Sequence, residues 1–147
     1  EPKSIWVLLF VIAVLPAICE EVLFRGAIVS GLRDHLPRWA VIVAVGLLFG
    51  LFHLSIHRLI PTALSGFVLT YLVVRTRSIY PAVIAHFILN GSMILLGSGH
   101  MPERVASFFA EPLSGSGGLP VWLLAVAAVG FALGIGVIER TSTRTET

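Results

Sequence analysis

Six polar residues stand in apolar surroundings: Glu20, Glu21 and Arg25 in one segment, His53 in a second, His86 and Asn90 in a third. A carboxylate, two imidazoles and an amide are equipment for activating water and for holding the oxyanion that forms when water attacks a carbonyl. The setting makes them costly. An Asp, Lys or Arg at the centre of a bilayer-spanning helix opposes insertion by about 2.5–3.5 kcal/mol. Such groups must pair, face a wet cavity, or both.

Helical spacing divides them. Residues four apart lie about 40° apart around a helix axis, on one face. Glu21 and Arg25 are four apart and can form an ion pair. Glu20 is then the carboxylate left over on the neighbouring face, the candidate general base. The structural alternative for these three is a charge-paired helix with a snorkelling arginine. His53, one turn after Phe49, reads equally as a catalyst and as a structural hydrogen bonder. His86 and Asn90, also four apart, form a donor face that suits either an oxyanion or bonding between helices. The combination on three segments favours chemistry. His35, His57 and His100 fall in connections, where solvation is the default. Cys19 sits beside Glu20 and reads as small apolar packing rather than a nucleophile.

The segments that must position these groups are hydrophobic. Of 147 residues, 56% are hydrophobic and 12% charged, about half the charged share of a soluble domain. The fold class expected is all-α: a polytopic transmembrane bundle of about five to six membrane-embedded helices, as one domain over residues 1–147. The apolar runs are too long and unbroken for a β-barrel. Ile5 to Leu15 reads as a short helix, broken or kinked at Pro16, with a second helix to about Leu32. Trp39 to Ile56 reads as a crossing with His53 inside it, followed by a tight turn at His57-Arg58. Leu59 to Val74 and Ile79 to Leu96 are the next spans. Gly97 to Gly118 is loop-like, with Val105–Phe109 at the interface, and Leu119 to Ile138 is an extra C-terminal span carrying Gly130 and Gly134 as a packing pair. Arg33, Arg38, Arg75, Arg77, Arg140 and Arg144 then share one side. Arg58 and Arg104, offset by Glu103 and Glu111, share the other. The positive-inside rule makes the first side, and the C-terminus, cytoplasmic. On this topology His53 and Asn90 lie past the midplane. No basic patch suits nucleic acid, and one cysteine allows no intrachain disulfide. The opening Glu1-Pro2-Lys3-Ser4, without Met or a cleavable signal, reads as a piece of something longer.

Several hydrolytic mechanisms are absent. Asp34 is the single aspartate, so no aspartyl dyad can form. H-E-x-x-H and G-x-S-x-G are missing. What is present is Glu20-Glu21-Val-Leu-Phe-Arg25 as E-E-x-x-x-R, Phe49-Gly-Leu-Phe-His53 as F-x-x-x-H, and His86-Phe-Ile-Leu-Asn90 as H-x-x-x-N. In order and spacing these resemble the CPBP family, the type II CAAX prenyl endopeptidases and bacterial relatives linked to bacteriocin processing and self-immunity. The resemblance covers about Leu15 to Gly97. It implies a membrane-embedded endopeptidase in which Glu20 activates water, His53 positions it, His86 and Asn90 hold the oxyanion, and Glu21 with Arg25 supports the Glu20 helix. The family is often labelled metalloprotease. Glu20, His53 and His86 would supply three zinc ligands, and the same residues serve a metal-free glutamate mechanism, which is favoured slightly here. The expected partners are a membrane protein or peptide substrate and the bilayer. A non-catalytic immunity factor, a domain fused to or associated with a transporter permease, and a proton or ion pathway are the competing functions. Substrate, prenylation and oligomeric state are not legible.

Overall fold

The computed structural model describes residues 4–99 together with residues 102 and 104. These residues divide into two units, the first ending at Gly91 and containing every site residue. Among the described residues the regular structure is entirely helical: α1 (Ile5–Leu32), α2 (Arg38–Phe52), α3 (Ile56–Thr76) and α4 (Tyr80–Gly97). Three of these, α1, α3 and α4, are long and apolar enough to cross a membrane. The span expected at Leu119–Ile138, the Gly130/Gly134 pair, the interfacial Val105–Phe109 segment and the C-terminal arginines lie outside the described residues, which contain four helices of the five to six expected.

Of the break or kink expected at Pro16, the break does not occur: the segment is one continuous 28-residue helix. Proline cannot donate the i→i−4 bond and crowds the carbonyl four residues back. The chain answers by widening: Leu9–Val14 winds as π-helix, and the Leu15 N–H reaches back five residues to the Phe10 carbonyl. A second π-stretch, Val22–Ile28, follows Glu21 directly and ends with Val29 N–H on the Phe24 carbonyl. Single-turn π-segments of this kind recur at functional sites. Apolar side chains along α1, including Phe10, Val11, Leu15, Ile18 and Val22, are exposed. That is the expected outer face of a helix solvated by lipid tails.

α2 also differs from expectation. It ends at Phe52, not Ile56, and its 15 residues span about 22 Å, short of the roughly 30 Å hydrocarbon core. Leu54 adopts a left-handed conformation, φ 48°, and the chain turns at residues 53–55. The tight turn thus precedes His57-Arg58, which instead open α3. His53 consequently caps α2 and does not lie within a crossing.

α2 and α3 pack with their backbones nearly in contact. A Cβ added at Gly46 would strike the Phe67 ring; at Gly50 it would lie 2.8 Å from Ala63 Cβ; at Gly66, 2.9 Å from the Gly46 carbonyl oxygen. Gly46-x-x-x-Gly50 is therefore a close-packing motif of the kind expected further along at Gly130 and Gly134. Phe24, Val29, Val41, Val45 and Phe49 form the core between α1 and α2.

Candidate active site

The second turn of the site segment places Glu21 and Arg25 inward, at 0% and 1% exposure. Arg25 Nη1 donates to Glu21 Oε1 at 2.7 Å, the ion pair expected from their spacing. Arg25 Nη2 donates to the Gly66 carbonyl at 3.1 Å. The Thr70 hydroxyl donates to the same carbonyl at 2.7 Å. The α2–α3 glycine contact sets where that carbonyl stands, so helix packing fixes the guanidinium. The Arg25 guanidinium also lies 4.5 Å from the Phe49 ring centroid, a cation–π contact that is stronger away from water.

His86 of α4 joins this pair from the other side. Its Nδ1 is 2.9 Å from Glu21 Oε1, and its Nε2 is 3.9 Å from Glu20 Oε2. One imidazole therefore bonds to one carboxylate and lies near its neighbour, and the two differ in their partners. Glu21 is occupied by Arg25 and His86. The Glu20 side chain is 21% exposed, and its Oε2 is buried with no hydrogen-bond partner among the described residues. The neighbours Glu21 Oε2 and Arg25 Nε share that condition.

His53 stands beside the cluster across Phe49. The Phe49 ring makes edge contacts with His53 at 5.0 Å and with His86 at 5.7 Å between centroids. His53 Nδ1 is 2.9 Å from the Phe49 carbonyl. A carbonyl oxygen only accepts, so Nδ1 carries the proton and the Nε2 lone pair is left to act as acceptor.

Asn90 Nδ2 donates to the Ile12 carbonyl at 3.3 Å. Ile12 is four residues before Pro16, so its carbonyl is the acceptor that the missing proline N–H would have served in an α-helix. Asn90 thus ties α4 to the π-widened turn of α1 and keeps one N–H for another acceptor.

The structure brings Glu20, Glu21, Arg25 and His86 into one cluster, with His53 across Phe49 from it and Asn90 one turn beyond His86. Among the described residues no group of three His, Cys, Asp or Glu side chains is gathered closely enough to hold a metal ion, so the set Glu20, His53 and His86 does not fit zinc as the side chains stand. Cys19, expected to pack, is exposed. Sequence reading missed Thr70, the Gly66 carbonyl, and the reach of Phe49 to both histidines and the guanidinium. Gly46-x-x-x-Gly50 was the available signal for the first two, because it marks where α3 must approach.

The profile of the family described as type II CAAX prenyl endopeptidase Rce1-like matches residues 2–92, more than half of the chain. The chain belongs to this family of CAAX-protease-like membrane proteins. No curated protein and no solved structure matches it. Its three long apolar helices fit an integral membrane protein.

Proposed function

We propose that the chain is a multi-pass intramembrane endopeptidase that hydrolyses a peptide bond with water activated by Glu20. The supporting observation is the asymmetry of two neighbouring carboxylates. Among the described residues, Glu21 is held through its Oε1 by Arg25 and His86, its Oε2 alone being unpartnered, whereas the partly exposed Glu20 has only the 3.9 Å approach of His86 Nε2. In the reaction, Glu20 takes a proton from water as the oxygen attacks the substrate carbonyl. His53 Nε2 accepts the second water hydrogen and orients it. The oxyanion takes a donor from the remaining N–H of Asn90 and, with His86 doubly protonated so that Nδ1 still donates to Glu21, a second from His86 Nε2. Glu20 then returns its proton to the leaving amine, restoring the carboxylate. Glu21 and Arg25 hold the helix that carries Glu20.

No step is routed through a metal, and we propose that none is obligatory. Activity lost in chelator and restored by zinc alone would overturn that part. The main test is cleavage of membrane peptides by reconstituted full chain. Glu20→Gln is expected to lose cleavage by about 10²–10⁴-fold, the range for removing a general base, while still inserting and folding. Wild-type cleavage by that variant would refute the proposal and favour a binding role. The cleaved sequence and its side of the membrane would be read from the same products.

A further inference from the structure

A cavity of about 500 Å³ opens between the ends of α1 and α3 and the starts of α2 and α4. Its size falls within the range of small-ligand sites. Arg33, Arg38 and Arg77 line it, with Ser30 and Ser78 supplying hydroxyls and Arg25 reaching it from the protein interior. Asp34 is the carboxylate lining it among the described residues, and it meets Arg33 at a loose 3.7 Å, Nε to Oδ1, with both side chains largely exposed. The cavity therefore carries an excess of positive charge in a chain whose segments are otherwise apolar.

Two independent features point to a ligand. Arg77 ends α3 in the left-handed region, φ 54°, with its N–H on the Val73 carbonyl. Glycine or asparagine is the usual choice there, and an arginine held in strained backbone is a pointer to a role for its side chain. Deeper in, Arg25 is 1% exposed and its Nε has no acceptor among the described residues. Aromatic side chains of the kind that favour a membrane interface stand next to the cavity. Trp39 and Tyr80, which open α2 and α4 beside it, are 69% and 75% exposed, as aromatic side chains are where they sit among headgroups.

We infer that this cavity binds the phosphate of an anionic phospholipid headgroup through Arg33, Arg38 and Arg77. Basic pockets between transmembrane helices take such headgroups, and each interfacial cation strengthens binding. Serine hydroxyls complete the oxygen shell, and exposed Trp39 and Tyr80 flank the acyl chains. The inference stands apart from proteolysis, since none of the three arginines touches Glu20, His53 or His86 through any described hydrogen bond or ion pair.

The test measures thermal stabilisation of purified full chain in neutral detergent, titrated with dihexanoyl phosphatidylglycerol, dihexanoyl phosphatidylcholine or inorganic phosphate. Saturable stabilisation by phosphatidylglycerol alone is expected. Arg38→Gln and Arg33→Gln should each weaken it about fivefold. Arg77→Gly suits the left-handed position, so it should keep the lipid-free melting temperature while weakening the response similarly. Glu20→Gln should bind lipid as wild type does, whether or not it cleaves. Equal stabilisation by phosphatidylcholine, or unchanged titration in all three arginine variants, would overturn the site. Equal stabilisation by inorganic phosphate would overturn the assignment to lipid.

Discussion

Glu20 and Glu21 are adjacent in sequence and stand in two different regions of the molecule. Glu21 belongs to a closed tier: an ion pair with Arg25, a bond from His86, and a guanidinium fixed by the Gly66 carbonyl and Phe49. Glu20 belongs to an open tier with His53 and Asn90, whose side chains are half-buried and whose described bonds leave atoms available. The difference teaches how a bundle can hold charge inside a membrane and still work. A buried, charge-paired Glu21 and Arg25 anchor the helix, and one carboxylate beside them is kept from being consumed.

Breaking the closed tier is expected to give the largest effect. Arg25→Met leaves Glu21 buried without its cation, and such losses cost about 3–5 kcal/mol. The melting temperature in detergent should fall steeply, and a near-wild-type value would show the pair to be dispensable. Next comes the helix contact beneath it. Gly46→Ala pushes a methyl into the Phe67 ring, and overpacking of this kind costs about 1–3 kcal/mol. Gly31→Ala, where nothing lies within 4 Å of the added methyl, is the control and should be close to neutral. Thr70→Val removes one of two side-chain donors to the Gly66 carbonyl and should destabilise by about 1 kcal/mol, read by the same melts. The smallest effect concerns Asn90. Asn90→Ala should cost about 0.5–1.5 kcal/mol in wild type and less in a Pro16→Ala background, where α1 can supply its own N–H to the Ile12 carbonyl. Equal losses in both backgrounds would separate Asn90 from the proline.

The closed tier was the more legible of the two in sequence. A glutamate and an arginine four apart in an apolar run have few alternatives to pairing, and they pair. His86 and Asn90 were correctly placed on one helix face, but their partners, Glu21 and Ile12, depend on how α4 meets α1. Pro16 left a break and a kink both open in sequence, because whether a π-turn and a side-chain donor from another helix absorb the proline depends on tertiary packing. The early end of α2 turns on a left-handed leucine, which no local preference announces. Thr70 was invisible because its role exists only once Gly46 and Gly66 are in contact.

The central claim is that the two neighbouring glutamates divide anchoring from chemistry. Its most direct test is to measure cleavage rate and melting temperature together for Glu20→Gln and Glu21→Gln in the same reconstituted preparation. Glu20→Gln should keep the wild-type melting temperature and lose cleavage, while Glu21→Gln should lose stability along with activity. A Glu20→Gln protein that cuts at the wild-type rate, or a Glu21→Gln protein as stable as wild type, would contradict that division.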